Sequence, residues 1–165
     1  VVFSKSLRIA GDAMDGAIIN YMRKKFNLLI GESTAEKIKK EIGTAIPTTN
    51  NVFLMKGRDI RTGTPKEISL TEEDACEALM PILNQMLAAI KEALESTPPE
   101  LSADLVDMGL VLTGGGALLK NIDKLISKDT GLPVTIADNP LECVATGTGK
   151  ALENEELFST MLSEY

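Results

Sequence analysis

Apolar residues recur at helical spacing in several parts of the chain. The first stripe begins at Met14, and Asp12 can cap the helix that carries it. A second helix is predicted after Gly31, where Ser33 and Glu36 have the spacing of a capping box. The first part of the chain is therefore expected to form two successive amphipathic helices.

A third predicted helix is much longer. The polar run Thr71–Asp74 can cap it, and its apolar stripe continues to about Ser96. Pro81 lies inside this stretch, where we expect a kink because proline cannot donate the backbone hydrogen bond of a helix interior. A short helix over residues 100–106 follows.

Strand-like segments lie between the first three helices. Residues 1–9 favour a strand, because β-branched and aromatic residues are common there. Gly43 suits the C-terminal end of the second helix. Beyond it, residues 52–56 and 67–70 predict a β-hairpin with a loose loop.

The last third of the chain alternates between strand and helix patterns. A short buried strand is predicted over 109–113, another strand over 133–137, and helices over 117–128 and 141–153. A strand–helix–strand order implies parallel neighbouring strands with a crossover helix. We therefore predict an α/β fold.

Composition excludes several classes of protein. The 165 residues are 44% apolar and 25% charged, which is typical of a globular domain. The absence of histidine excludes a Ser-His-Asp triad and His-bearing zinc sites. A net charge of −7 disfavours nucleic-acid partners, and no apolar run approaches the ~18 residues of a membrane span.

The strongest signal for function is the run from Val111 to Leu118, where a predicted strand enters Gly114, Gly115 and Gly116. Glycine lets a ligand approach the backbone with no Cβ in the way, and a following helix offers N–H groups. A tight strand-to-helix turn would use the same glycines, so both interpretations stay open. The run matches neither the dinucleotide fingerprint nor the P-loop.

A second signal lies on the second helix, in five consecutive residues: Glu36, Lys37, Ile38, Lys39 and Lys40. Residues three and four apart are neighbours on a helix, so Glu36 lies beside Lys39 and Lys40. A carboxylate next to an ammonium can clamp ribose hydroxyls or a base edge. The alternative is structural, since Glu36 also fits the capping box.

Catalytic chemistry is not evident in the sequence. No nucleophile is paired with a base, and no carboxylates stand out as a metal site or an acid–base pair. Gly11, between a predicted strand and a helix, is a weaker version of the glycine signal. The chain thus predicts half a binding cleft without a catalytic set.

An ordered set of motifs resembles one known family. The motifs are Arg8–Ile19, Gly31–Gly43, Pro98–Leu101, Gly114–Leu119 and Pro140–Ala145. Together they resemble the MreB family, the bacterial actins of rod-shaped cells, over essentially the whole chain. That family belongs to the superfamily of actin, heat-shock chaperones and sugar kinases.

The resemblance implies an actin-like, ribonuclease H-like ATPase fold, of which this chain is the second lobe. Subdomain IIA would comprise 1–27 and 71–142, a mixed sheet with flanking helices. Subdomain IIB would be a small α+β insertion over 28–70. Residues 143–165 would form a C-terminal helix and tail that return towards the first lobe.

The resemblance also implies a nucleotide site for ATP or ADP. Gly114, Gly115, Gly116, Ala117 and Leu118 would contact the nucleotide from one side, and the five residues Glu36–Lys40 from the other. Gly11 would lie near the ribose and phosphates. The phosphate loops and most Mg²⁺ ligands would lie outside this chain, which by itself should not hydrolyse ATP.

The intact protein would, by the same resemblance, form cytoplasmic filaments at the inner face of the plasma membrane. It would maintain rod shape with the cell-wall elongation machinery and a membrane-anchored RodZ-type adaptor, and would touch membrane through parts before residue 1. The alternatives are a lobe of a sugar kinase or chaperone ATPase, a plasmid-segregating or magnetosome actin, and an interaction module that never binds nucleotide.

Overall fold

The computed structural model describes residues 2–7, 9 and 11–153. Within them the chain forms six α-helices and five β-strands, in agreement with the predicted α/β class. The helices are α1 Gly11–Phe26, α2 Glu32–Ile42, α3 Glu72–Glu95, α4 Pro99–Met108, α5 Ile122–Thr130 and α6 Cys143–Glu153. The strands are β1 Leu28–Leu29, β2 Val52–Asp59, β3 Pro65–Thr71, β4 Leu110–Leu112 and β5 Val134–Ile136.

The predicted hairpin is confirmed as the larger part of an antiparallel sheet in the order β1-β2-β3. Val52 pairs with Thr71 at its base, and Arg58 pairs with Pro65 near its tip. The strands are longer than predicted, because the turn needs only a few residues. Asp59 closes that turn by accepting hydrogen bonds from the N–H groups of Arg61 and Thr62.

The second sheet pairs β4 with β5 in parallel, as the strand–helix–strand pattern predicts. Leu110 and Leu112 pack against the core, whereas Val111 between them is 63% exposed. The prediction of a buried strand over 109–113 is therefore wrong. Only one face of this pair is covered by the described residues, and side chains alternate between the two faces of a sheet.

The hydrophobic core lies between four helices, each of which turns one apolar stripe inward. The stripes predicted for α1 and α3 are confirmed, and burying each large aliphatic side chain stabilises the fold by about 1.5–3 kcal/mol. The buried members are Met14, Ile18 and Met22 of α1, Ala35, Ile38 and Ile42 of α2, Ala75, Ala78, Leu79 and Leu83 of α3, and Ile122 and Ile126 of α5.

The start of α3 is capped as the sequence predicts. The Thr71 hydroxyl accepts a hydrogen bond from the Asp74 N–H, and the Asp74 carboxylate accepts one from the Thr71 N–H. This reciprocal pair satisfies backbone donors that the first turn of a helix leaves unpaired. The helix continues through Pro81 to Glu95 without a break in its assignment.

The predicted strand over residues 1–9 is not present in the part of it that the structure describes. Residues 2–7 and 9 have no regular secondary structure and form no ladder with β4 or β5. Strand propensity is insufficient here, because a strand needs a neighbour to accept its backbone hydrogen bonds. The segment instead lies along α3, where Lys5 forms an ion pair with Glu92.

The capping box predicted for α2 is wrong. The helix begins at Glu32, and Gly31 caps it through backbone bonds to Thr34 and Ala35 without a side-chain contribution. Ser33 is therefore already inside the helix. Gly43 does end α2, but with φ −62° rather than a left-handed conformation. Glycine is needed there because a Cβ would lie 2.1 Å from the carbonyl oxygen of Lys39.

The helix predicted over 117–128 is interrupted. Gly115–Leu118 form one 3₁₀ turn, Asn121 has φ 59°, and α5 starts only at Ile122. Leu118, in the 3₁₀ turn, is exposed, and Leu119 after it is buried. The reason is tertiary, since residues 120 and 121 bond to the chain that follows α2.

Substitutions at the observed cap of α3 and at the predicted but absent cap of α2 test these two findings. We expect Thr71→Ala to lower the free energy of unfolding of the complete protein by about 1 kcal/mol, because it removes the acceptor for the Asp74 N–H. Ser33→Ala should leave that free energy within about 0.5 kcal/mol of the wild-type value. Urea denaturation measures both. A larger loss of unfolding free energy for Ser33→Ala would mean that Ser33 does cap α2.

Candidate functional site

The glycine loop begins where β4 ends. Gly114 has φ 80° and ψ 176°, a conformation that residues with a Cβ rarely adopt, and its N–H donates to the carbonyl of Pro140 at 2.7 Å. Gly115 and Gly116 follow with exposed backbone, and a Cβ at Gly116 would find no atom within 4 Å. The loop therefore presents an open stretch of main chain.

The helix N-terminus expected directly after the glycines is not found there. Only a four-residue 3₁₀ turn follows the glycines, and the first α-helix after them starts at Ile122. A macrodipole needs several aligned peptide units, so this turn contributes little of it. What the loop offers a ligand is close approach to backbone groups. Ala117 is buried, whereas Leu118 is 57% exposed beside the glycines.

The five predicted residues of α2 divide by burial. Glu36, Lys37 and Lys40 are exposed, Ile38 is in the core, and Lys39 is partly buried. Glu36 and Lys40 form an i,i+4 ion pair of 2.6 Å, which lowers the pKa of the Glu36 carboxyl and raises that of the Lys40 ammonium. The Lys37 ammonium lies 5.9 Å from the centre of the Phe53 ring.

Lys39 and Gly11, predicted separately, are brought together. The Lys39 ammonium donates to the Gly11 carbonyl at 3.2 Å and to the Asp15 carboxylate at 2.9 Å. Asp15 is not among the site residues that the sequence predicts. The feature that could have identified Asp15 is its position on α1, beside the buried stripe that includes Ile18. A charged group on a packed helix face is rarely unpaired.

A set of hydrogen bonds, here called the interloop seam, joins Thr44–Ile46 to Lys120–Asn121. The Ala45 N–H donates to the Lys120 carbonyl at 2.8 Å, and the Asn121 side-chain amide donates to the Ile46 carbonyl at 2.9 Å. The Lys120 ammonium donates to the Glu41 carbonyl at 3.1 Å. Thr44 is fully buried there and pairs with Lys120 as a parallel bridge.

The seam sets the spacing of the two predicted halves of the site. It begins two residues after the end of α2 and two residues after the 3₁₀ turn of the glycine loop. Short connections of this kind leave little freedom, so the bonds tie the C-terminal end of α2 to the end of the glycine loop. Polar residues such as Thr44 and Asn121 give no sequence signal for so distant a pairing.

Glu72 anchors the chain that leaves the seam. The residue is 1% exposed, and its carboxylate accepts hydrogen bonds of 3.0 Å from the backbone N–H groups of Thr48 and Thr49. The Thr48 bond is the largest influence and keeps the pKa of Glu72 below its usual range, with a smaller contribution from the Lys120 ammonium 4.0 Å away. A buried carboxylate is tolerated because these donors replace water.

The described residues were also compared with the requirements of a metal site and of a membrane-spanning helix. Among residues 2–7, 9 and 11–153, no group of three or more His, Cys, Asp or Glu side chains is placed to hold a metal ion. None of the helices in the same residues has the length and hydropathy that crossing a bilayer requires.

Comparison with known proteins identifies the family. The MreB/Mbl protein family model matches residues 1–160. The chain is 49% identical over 154 residues to the cell shape-determining protein MreB of Escherichia coli strain K12, an alignment that covers 93% of this chain and 44% of that protein. It therefore spans less than half the length of this curated relative.

Solved structures show the same fold. MreB5 of Spiroplasma citri bound to AMPPNP superposes with a TM-score of 0.90 at 37% identity, over 94% of this chain and 47% of that one. The ADP-bound structure of MreB5 gives a TM-score of 0.88 at 36% identity, over 99% and 49%.

These matches establish an actin-like fold, and the chain belongs to the MreB/Mbl family. The resemblance inferred from the motifs is thereby confirmed. A lobe of a sugar kinase or of a chaperone, the alternative from another class, is not the family that the comparisons identify.

The buried carboxylate near the seam predicts a pH dependence. We expect Glu72→Gln to lower the free energy of unfolding of the complete protein by about 2 kcal/mol at neutral pH, because charge-assisted hydrogen bonds to two N–H groups are weakened. The pKa of the Glu72 carboxyl in the folded protein lies below its ordinary value of 4.5. The stability that the carboxylate contributes is therefore present above pH 4.5 and is lost as the pH falls through the lowered pKa.

Urea denaturation over a descending pH series measures this difference. The gap between wild type and Glu72→Gln should narrow on acidification. Glu73→Gln, at the exposed neighbouring position of the same helical turn, is the matched control and should show no such gap. A gap that is independent of pH would mean that the charge of Glu72 is not what holds Thr48 and Thr49.

Proposed function

We propose that this chain is the nucleotide-binding second lobe of an actin-like ATPase, and that ATP or ADP binds between the glycine loop and α2. The observation that carries the proposal is the open backbone at Gly115 and Gly116, in a loop that the interloop seam ties to the C-terminal end of α2. A cleft with side-chain-free backbone on one side and charged groups on the other suits a nucleotide.

The residues divide into roles under this proposal. The loop Gly114–Leu118 contacts the nucleotide through backbone and the exposed Leu118 side chain. Glu36, Lys37, Lys39 and Lys40 supply polar groups from α2, while Ile38 contributes only backbone because its side chain is in the core. Gly11 lies under the Lys39 ammonium and approaches the ribose and phosphates.

The nucleotide itself is supported by two relatives. The MreB5 structures, at 36–37% identity, hold AMPPNP and ADP, respectively. The Mg²⁺ that accompanies such nucleotides would take its ligands mostly from other parts of the complete protein. Hydrolysis is proposed for the complete protein, with its catalytic carboxylates outside this chain.

The subdomain boundaries are proposed from the sequence and supported by the fold. The three-stranded sheet and α2 fall within residues 28–70, proposed as subdomain IIB. Residues 1–27 and 71–142, proposed as subdomain IIA, include α1, α3 and the β4-β5 pair. In the proposed 143–165 segment, α6 accounts for Cys143–Glu153, and residues 154–165 lie outside the described part.

The wider role is proposed from family membership. The relatives are named cell shape-determining proteins. We extend this to self-association into filaments at the inner face of the plasma membrane, with the cell-wall elongation machinery and a RodZ-type adaptor as partners. Membrane contact would come from other parts of the complete protein.

Gly115→Val tests the nucleotide site. A Cβ at Gly115 would lie 3.5 Å from Leu141, an ordinary contact, so the fold should tolerate valine. The branched side chain would occupy the open side of the loop, and we expect the affinity for ATP and ADP to fall at least tenfold, or about 1.4 kcal/mol. Calorimetric titration of the complete protein measures affinity, and sedimentation with ATP measures assembly.

The control is Gly147→Val in α6, where a Cβ meets no atom within 4 Å among the described residues. It should change neither affinity nor assembly. Unchanged affinity for Gly115→Val would mean that the glycines only make a turn. If wild type binds neither nucleotide, the proposal fails in favour of an interaction module that does not use one.

A further inference from the structure

A partly buried ion pair connects α1 and α2 at the edge of the proposed cleft. The side chains of Lys39 and Asp15 are 17% and 14% exposed, the least exposed combination among the ion pairs that the structure describes. Removing two charges from water is costly, so a pair in this position is weak evidence for stability alone. The pair calls for a role other than joining two helices.

The hydrogen-bond inventory of the ammonium suggests that role. An ammonium has three N–H donors. In the described residues, the Lys39 ammonium donates to the Asp15 carboxylate at 2.9 Å and to the Gly11 carbonyl at 3.2 Å. These two acceptors account for two donors. The third has no hydrogen-bond acceptor among the described residues, and the Lys39 side chain is 17% exposed.

The carboxylate is placed to hold the ammonium rather than to reach the ligand. Lys39 Nζ lies 2.9 Å from both oxygens of Asp15, but only Oδ2 receives a well-aligned hydrogen bond. Oδ1 is buried and receives none from the described residues. Asp15 follows Met14 and precedes Ile18 on the buried side of α1, which fixes its position.

We propose that Asp15 is a positioning residue, which holds the Lys39 ammonium against Gly11 so that its third donor faces the nucleotide. This inference rests on the proposed nucleotide site. Lys39 would donate to an oxygen or ring nitrogen of the bound nucleoside phosphate. Without Asp15, the flexible lysine side chain would sample other rotamers, and ordering it would reduce the affinity.

A double-mutant cycle tests this coupling. Asp15→Asn and Lys39→Met are made singly and together in the complete protein, and ATP and ADP affinities are measured by calorimetry. We expect each single variant to weaken binding about tenfold and the double variant to be no weaker than Lys39→Met alone. If the losses of affinity in the two single variants multiply in the double variant, or if Asp15→Asn binds nucleotide with full affinity, the inference is overturned.

A charge exchange separates positioning from stability. In the double variant Asp15→Lys, Lys39→Asp the ion pair can re-form with the ammonium on α1. We expect the thermal stability of this double variant without nucleotide to be higher than that of Asp15→Lys or Lys39→Asp alone. Its nucleotide affinity should stay low. Recovery of affinity together with stability would show that the pair only joins the helices.

Two further variants keep the test decisive. Asp129→Asn removes the carboxylate from the ion pair with Lys91 between α5 and α3, and its nucleotide affinity should equal that of wild type. If Asp15→Asn does not fold, Asp15→Glu retains the charge but displaces the ammonium, and it should bind nucleotide several-fold more weakly; unchanged affinity would overturn the inference. Absence of binding in wild type would instead refute the proposed nucleotide site.

Discussion

The interloop seam is the constraint on which the rest of the candidate site depends. Ala45 and Asn121 each donate a hydrogen bond across it, at 2.8 and 2.9 Å, around the fully buried Thr44. An unpaired buried polar group costs about 1–3 kcal/mol, so separating the two chain segments would be unfavourable. The glycine loop ends two residues before one of these segments, and α2 ends two residues before the other.

Polar groups around α3 extend this constraint. Glu72, at the start of α3, holds the N–H groups of Thr48 and Thr49, so the chain beyond the seam is fixed to the central helix. On the α1 side of α3, Tyr21 and Lys25 meet Asp74 and Glu77, and the Glu77 bond has the largest effect in raising the pKa of Lys25. Apolar stripes bring the helices together, and these bonds select their register.

Charge has two different roles in the same short helix. The Glu36–Lys40 pair is exposed, so its contribution to stability is small. Lys39, one residue away, is turned towards α1 and held by Asp15 and Gly11. The helical rotation between adjacent positions therefore separates a solvated pair from a positioned cation.

Local sequence determined the elements whose signals lie within a few residues. Thr71 and Asp74 cap α3 because both partners of that hydrogen-bond pair are neighbours, and the hairpin and the parallel β4-β5 pair follow from turn and alternation patterns. Motif content was sufficient to identify the family, and it supplied Gly114–Gly116 and Lys39 as candidate site residues.

Tertiary structure decided what those patterns could not encode. The strand expected over 1–9 lacks a partner in the described residues, Asn121 breaks a continuous helical pattern because the seam draws it to Thr44, and α2 starts one residue before the predicted Ser33 cap. Asp15 was missed for the same physical reason: its partner is 24 positions away, and only the packing of α1 against α2 brings the two charges into contact.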